Sequence, residues 1–209
     1  MSRGGIAVLD YGIGNLASAH RALLKLGADA ALVVEPQAAA GACAVVLPGV
    51  GAFGRCVDAL EASGLGALAR RAFEHGVPLL GICVGLQLLY QGSEEAPGAR
   101  GLGILAGSVA RLPPGCKRPQ IQWNALKALK SSRLLEGLGA QPWVYFVHSY
   151  AAPMGDETVA TCEYGGEVVA AIESELVFGT QFHPEKSGST GMRVLANFLT
   201  VASETGARL

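Results

Sequence analysis

Pro78-Leu79-Leu80-Gly81-Ile82-Cys83-Val84-Gly85-Leu86-Gln87-Leu88-Leu89-Tyr90 is the stretch that decides the fold. Pro78 to Ile82 is a short apolar run, the pattern of a strand covered on both faces. Val84 to Tyr90 reads as a helix. A cysteine therefore stands at a strand-to-helix turn, between Gly81 and Gly85. Such a turn holds a nucleophile clear of the backbone, and its strain demands small neighbours. The helix N-terminus beside Cys83 favours the thiolate, and the Val84 N–H lies where an oxyanion would develop. The competing reading is a core cysteine in a glycine-rich turn, the usual fate of a free thiol.

On the N-terminal side the same alternation repeats. Ile6–Leu9, Leu32–Val34 and Ala44–Leu47 read as strands, the last ending at Pro48-Gly49. Helices are expected from Asn15, as cap, to about Leu26 with Gly27 as left-handed stop, then over Ala52–Leu60 and Leu65–His75. On the C-terminal side, strands follow one another: Gly107–Leu112, Trp143–His148, Thr158–Glu163, Val168–Ile172 and Val177–Phe182. A final amphipathic helix begins near Ser189, with Met192, Leu195, Ala196 and Leu199 on one face. The pattern is α/β with a mixed, mostly parallel sheet, and one domain over residues 1–209 is expected.

Half of the 209 residues are hydrophobic and the formal net charge is −1, so the chain folds and carries no field that would attract nucleic acid or an anionic membrane. No run reaches the roughly 18 apolar residues of a membrane span. Met1-Ser2-Arg3-Gly4-Gly5 leads straight into the first strand without a signal-peptide pattern, so a cytoplasmic location is expected. The five cysteines, Cys43, Cys56, Cys83, Cys116 and Cys162, are odd in number and lack zinc spacing; no metal or cofactor is expected.

A cysteine nucleophile needs a histidine, and that histidine an orienting group. Of the four histidines, His20 and His75 lie on helices and read as structural. His148 and His183 each end a strand. In an extended segment residues i and i+2 point the same way, so His183 and Glu185 project together, stiffened by Pro184. A solvated His-Pro-Glu turn is the bland reading. Pro48-Gly49-Val50-Gly51-Ala52-Phe53-Gly54 follows another strand and lets backbone N–H groups approach a ligand. It lacks the Lys-Ser/Thr of a phosphate loop, and Asp10–Asn15 lacks the third glycine of a dinucleotide loop. Asp10, the Pro48–Gly51 loop, Cys83 and His183 all follow strands, so one face of the sheet can collect them.

Together these residues resemble the triad glutamine amidotransferases, and within them the glutaminase subunits of imidazole glycerol phosphate synthase. The motifs are Asp10-Tyr11-Gly12-Ile13-Gly14-Asn15, Pro48–Phe53, Gly81–Gly85 with Gln87-Leu88-Leu89, Phe146-Val147-His148-Ser149-Tyr150 and His183-Pro184-Glu185-Lys186-Ser187. The resemblance implies a class I amidotransferase-like (flavodoxin-like) three-layer sandwich. It implies Cys83, His183 and Glu185 as catalytic residues acting through a glutamyl thioester. Gly49, Gly51, Gln87, His148, Ser149 and Tyr150 would hold glutamine, and Val84 with a peptide of the Pro48–Gly51 loop would meet the oxyanion.

The resemblance also implies a (β/α)8-barrel cyclase partner that uses the ammonia to make imidazole glycerol phosphate and aminoimidazole carboxamide ribonucleotide. This chain stops after its last helix, so the partner is expected as a separate protein in a heterodimer. Asn15 and Lys186 match family docking positions; a helix cap and a solvated lysine are their alternatives. Pro119-Gln120-Ile121-Gln122-Trp123-Asn124 departs from the family's Pro-His-Met-Gly-Trp-Asn at Gln120 and Gln122, while Trp123 and Asn124 match and Trp123 is expected at the partner interface. Two other functions compete: a glutaminase for anthranilate, carbamoyl phosphate or guanylate synthesis, and a catalytically silent scaffold.

Overall fold

Apolar runs with no polar face must be covered on both sides, and here they form the middle of one sheet. The computed structural model of the chain describes residues 4–209. Met1, Ser2 and Arg3, part of the lead-in weighed as a signal segment, lie outside the described residues. The first four strands are β1 (Ile6–Leu9), β2 (Ala30–Val33), β3 (Ala44–Gly49) and β4 (Leu79–Cys83), and β1, β3 and β4 are buried along their whole length. Then come β5 (Gly92–Ser93), β6 (Ser108–Arg111), β7 (Gln120–Ala125), β8 (Lys127–Ala128), β9 (Trp143–His148) and β10 (Tyr150–Ala151). Last are β11 (Thr158–Glu163), β12 (Glu167–Ser174) and β13 (Val177–Thr180).

The main sheet has eight strands in the order β2-β1-β3-β4-β13-β12-β11-β8, parallel from β2 to β13 and antiparallel from there to β8. The strand order reverses between β1 and β3, the switch point at which open α/β sheets gather ligands. A small sheet, β10-β6-β5, and a ribbon, β7-β9, lie beside it.

Among the described residues five α-helices flank the sheet: α1 (Leu16–Lys25), α2 (Phe53–Ala62), α3 (Leu65–Glu74), α4 (Val84–Leu88) and α5 (Gly188–Thr205). α1 packs against α5, while α2 packs against α3 and α4. Gly27 (φ +82) and Gly76 (φ +64) close α1 and α3 in the left-handed region. The helix after Cys83 stops at Leu88, two residues short of the expectation. In α5 the buried stripe runs through Gly191, Val194, Leu195, Phe198, Val201 and Ala202. Of the four residues expected on that face only Leu195 is fully buried; Met192 and Ala196 border an open cleft toward α1.

Sequence reading missed β5, β7, β8 and β10. Two-residue ladders carry no periodicity to read. β7 has an inverted polarity instead: Gln120 is buried while Ile121 and Trp123 face outward. That places apolar side chains on the surface and an amide inside, the reverse of what a half-buried strand normally shows. No helix among the described residues is long and apolar enough to cross a membrane.

Candidate active site

Cys83 ends β4 with φ 55 and ψ −111, one of two non-glycine residues with positive φ among the described residues. A side chain in so sparsely populated a region costs about 1–3 kcal/mol, which the surroundings must impose. They impose it by close packing. A Cβ on Gly85 would lie 1.8 Å from the Leu47 carbonyl oxygen, one on Gly81 would lie 2.7 Å from Gly85 backbone, and one on Gly49 would lie 2.7 Å from the Gly85 nitrogen. The three glycines let α4 sit directly on β3 and β4, and the chain has to bend at Cys83 to do so. Val84 begins α4, so its N–H has no partner within the helix.

His183 reaches the same place by another route. β13 ends at Thr180, and Pro184–Lys186 forms a 3-10 turn, so the pair does not lie on an extended strand end. His183 is extended (φ −95, ψ 99), and the turn after it folds Glu185 back beneath the ring. His183 Nδ1 lies 2.8 Å from Glu185 Oε1, both side chains being buried. Spacing alone anticipated the contact, but a tight turn and not strand alternation makes it. The turn is stitched to β9: His183 N–H donates to the Tyr145 carbonyl, and Tyr145 N–H donates to Ser187 Oγ.

Asn15 occupies the position before α1 but makes no side-chain cap. Its amide instead donates to Glu185 Oε1 at 2.9 Å. The expected cap is absent: the side chain is turned toward Glu185 and makes no bond to the first N–H groups of α1. Burial alone would raise the Glu185 pKa; the bonds from His183 and Asn15 outweigh it and hold the carboxyl below its ordinary range. For His183, burial acts downward, but coupling to Cys83 and Glu185 prevails and raises the pKa to about 9. The other ring nitrogen, Nε2, is buried and has no hydrogen-bond partner.

Cys83 and His183 share a cavity of about 250 Å³. Val50, Gly51, Val84, Gln87, Ser149 and Tyr150 line it, together with Pro119, Val147, His148 and Glu95. The larger concavity, about 980 Å³ and open, lies between α1 and α5; Glu185 borders it, but Cys83 and His183 do not. Gly49 lies behind the wall, against Val84 and the Tyr11 hydroxyl, and Gly51 (φ +89) turns the loop. Gln87 Nε2 donates to the Tyr150 carbonyl and to Gln181 Oε1, so only its own carbonyl is left to offer.

Both ring nitrogens of His148 are engaged, Nδ1 with the Tyr150 carbonyl at 2.8 Å and Nε2 with the Gln120 amide at 3.0 Å. Burial is the main cause that lowers its pKa to about 4, so the ring is neutral and holds one proton, on Nδ1. Nε2 is then an acceptor facing Gln120 Oε1, and exchanging the O and N of that amide gives Nε2 its donor. Val147, His148, Ser149 and Tyr150 all line the cavity, but the His148 ring nitrogens are both engaged elsewhere, so the polar groups this segment can offer a ligand are others than the imidazole's. His20 and His75 bond the Ala30 and Arg71 carbonyls, away from the cavity.

Trp123 lies on β7 opposite Tyr145, 47% exposed, and Lys186 is exposed on the turn that carries Glu185. Two residues escaped the sequence reading. Gln181, fully buried, donates from Nε2 to Cys83 Sγ at 3.7 Å. Glu95 brings a carboxylate to the cavity rim and accepts the Phe53 N–H at 2.8 Å. A glutamine two residues before the histidine was the available signal for the first; nothing local marks the second.

The family model for glutamine amidotransferase class-I matches residues 7–202. The imidazole glycerol phosphate synthase subunit HisH of Methanothermobacter thermautotrophicus is 49% identical over 197 residues, 94% of this chain and 98% of that one. The HisH subunit of Geobacillus kaustophilus is 44% identical, covering 96% and 99%. A solved glutamine amidotransferase superposes with a TM-score of 0.77 at 24% identity, covering 96% of this chain and 100% of the other, a likeness of fold. The chain belongs to the class I glutamine amidotransferases, among the HisH subunits of imidazole glycerol phosphate synthase.

Proposed function

We propose that Cys83, His183 and Glu185 hydrolyse glutamine in this chain and that the ammonia serves an imidazole glycerol phosphate synthase of histidine biosynthesis. Cys83 Sγ attacks the side-chain amide carbon, a C–S bond forms, and negative charge gathers on the carbonyl oxygen. Val84 N–H and an N–H of the Pro48–Gly51 loop meet that charge. His183 gives its proton to the departing nitrogen as the C–N bond breaks, and ammonia leaves. Water then attacks the thioester, giving a proton to the now neutral His183; the C–S bond breaks, releasing glutamate and restoring Cys83. Glu185 keeps Nδ1 occupied so that Nε2 faces the reaction.

The observation that carries this reading is that Nε2 of His183, buried and without a partner, belongs to a residue lining the same cavity as Cys83. The cavity is smaller than the roughly 300 Å³ at which sites for drug-sized ligands begin, a scale suited to one amino acid. Glu95 supplies the carboxylate that would pair with an α-ammonium, and Gly51, Gln87, Ser149 and Tyr150 the polar groups that would hold the rest.

The matched relatives are named as subunits, which supports a second, cyclase subunit. We infer a separate (β/α)8 barrel in a heterodimer, docked near Asn15, Trp123 and Lys186, with the whole chain acting as one amidotransferase domain in the cytoplasm. Replacing Cys83 by Ala tests the assignment in the reconstituted complex. Glutamine-dependent synthesis should vanish while synthesis from added ammonium persists; glutamine-dependent turnover in that variant would overturn it.

A further inference from the structure

The loop that would supply the second oxyanion donor is gripped from behind by two side chains outside the cavity. Tyr11, just beyond β1, donates its hydroxyl to the Pro48 carbonyl at 2.7 Å. Cys56, in the first turn of α2, donates its thiol to the Val50 carbonyl at 3.4 Å. The two bonds flank the Gly49–Val50 peptide. Gly49 is the last residue of β3 and pairs with Cys83, so the Gly49–Val50 peptide is the first beyond the ladder, and the carbonyls held are those on either side of it. The loop lies directly on the hydroxyl: a Cβ on Gly49 would come within 2.9 Å of Tyr11 Oη.

We propose that Tyr11 and Cys56 are positioning residues that hold the Pro48–Gly51 loop in register with Cys83, so that its N–H groups meet the oxyanion. The proposal rests on the reading of Cys83 as the nucleophile. Its place in the fold fits, because Tyr11 and Pro48 bond across the switch point between β1 and β3. Both groups remain protonated donors at working pH. Burial is the main cause that raises the Tyr11 pKa far above its ordinary value, and burial likewise lifts that of Cys56 to about 11. Neither residue lines the cavity, so neither is expected to change how tightly glutamine binds.

Two rates separate a positioning role from general damage. Glutamine hydrolysis needs the oxyanion site. Alkylation of Cys83 by iodoacetamide, followed by peptide mass spectrometry, displaces iodide at a saturated carbon and develops no oxyanion. Both are measured on the complex with its cyclase partner. Tyr11→Phe, which keeps the ring, should lower kcat about tenfold with KM within about threefold, less than the roughly 10²–10³ lost when an oxyanion donor itself is removed. Its Cys83 alkylation rate should stay within about twofold of the parent on the same argument, and Cys56→Ala should show the same split with a loss of about threefold. If kcat stays within about twofold of the parent in both variants, or falls only in step with the alkylation rate, the proposal is overturned. Parent complex that still hydrolyses glutamine after Cys83 is fully alkylated would sink the nucleophile reading itself, and the proposal with it.

Discussion

Asn15 Nδ2 and His183 Nδ1 meet on one oxygen, Glu185 Oε1, at 2.9 and 2.8 Å, while Oε2 is buried and has no partner. The carboxylate is thus held from the α1 side as well as by the histidine it orients. Removing Asn15 should let Glu185 rotate toward an arrangement that no longer fixes Nδ1. Asn15→Ala is expected to lower kcat about ten- to a hundredfold, the scale of one hydrogen bond to a charged group. Asn15→Asp should be worse than Ala, because a second carboxylate at this distance opposes the first and raises its pKa. Steady-state glutaminase kinetics decide the order; an Asp variant as active as the parent would show that the contact does not orient Glu185.

The raised pKa of His183 sets a pH limit with a definite sign. Burial pushes the imidazole down and the coupling to Cys83 and Glu185 pushes it up by more, to about 9 from 6.5. The protonated ring is the form that gives a proton to the leaving nitrogen, so kcat/KM should fall as pH rises past about 9. The α-amino group of glutamine also titrates in the alkaline range, but it does not respond to changes in the enzyme. Glu185→Gln removes one of the raising partners, so its alkaline limb should move to lower pH. A limb that stays in place in that variant belongs to the substrate and not to His183.

Packing at the elbow predicts an order of damage among glycines. Gly85→Ala puts a Cβ 1.8 Å from the Leu47 carbonyl oxygen, backbone against backbone, where no rotamer change can relieve it. Such overpacking costs about 3 kcal/mol or more. With roughly 2–4 °C per kcal/mol for a chain of this size, the melting temperature should drop by about 6 °C at least. Gly49→Ala, at 2.7 Å from the Gly85 nitrogen, should follow closely. Gly51→Ala meets open space and carries only the cost of its φ of +89, so it should be the mildest of the three. A thermal melt in which Gly51→Ala is the least stable would contradict this account.

How much of this was readable in the chain depended on the range over which each feature is encoded. The parallel core was legible because Ile6–Leu9, Ala44–Leu47 and Pro78–Ile82 are uninterrupted apolar runs, and burial on both faces leaves that mark in the residues themselves. The His183–Glu185 contact was legible from a two-residue spacing, although the turn that makes it was not. Asn15 and Glu185 are 170 positions apart, and no local pattern links them. The same holds for Tyr11 with Pro48 and for Gln181 with Cys83. β7 was unreadable for a different reason: its exposed Ile121 and Trp123 oppose the polarity by which strands are recognised.

Cys83 itself yields the last prediction, in which stability and activity part company. Glycine is ordinarily about 0.5–1 kcal/mol less stable than alanine within regular structure, because it loses more freedom on folding. At φ 55 and ψ −111 the comparison reverses, since alanine keeps the strained Cβ and glycine has none. Relief of about 1–3 kcal/mol of strain exceeds that entropy cost. Both variants should lack glutaminase activity, yet Cys83→Gly should unfold at higher urea than Cys83→Ala, by about 0.5 M for a net gain near 1 kcal/mol. Equal midpoints would mean that the elbow relaxes once the sulfur is gone. A higher midpoint for glycine would show that the fold holds the nucleophile in a conformation its own backbone disfavours.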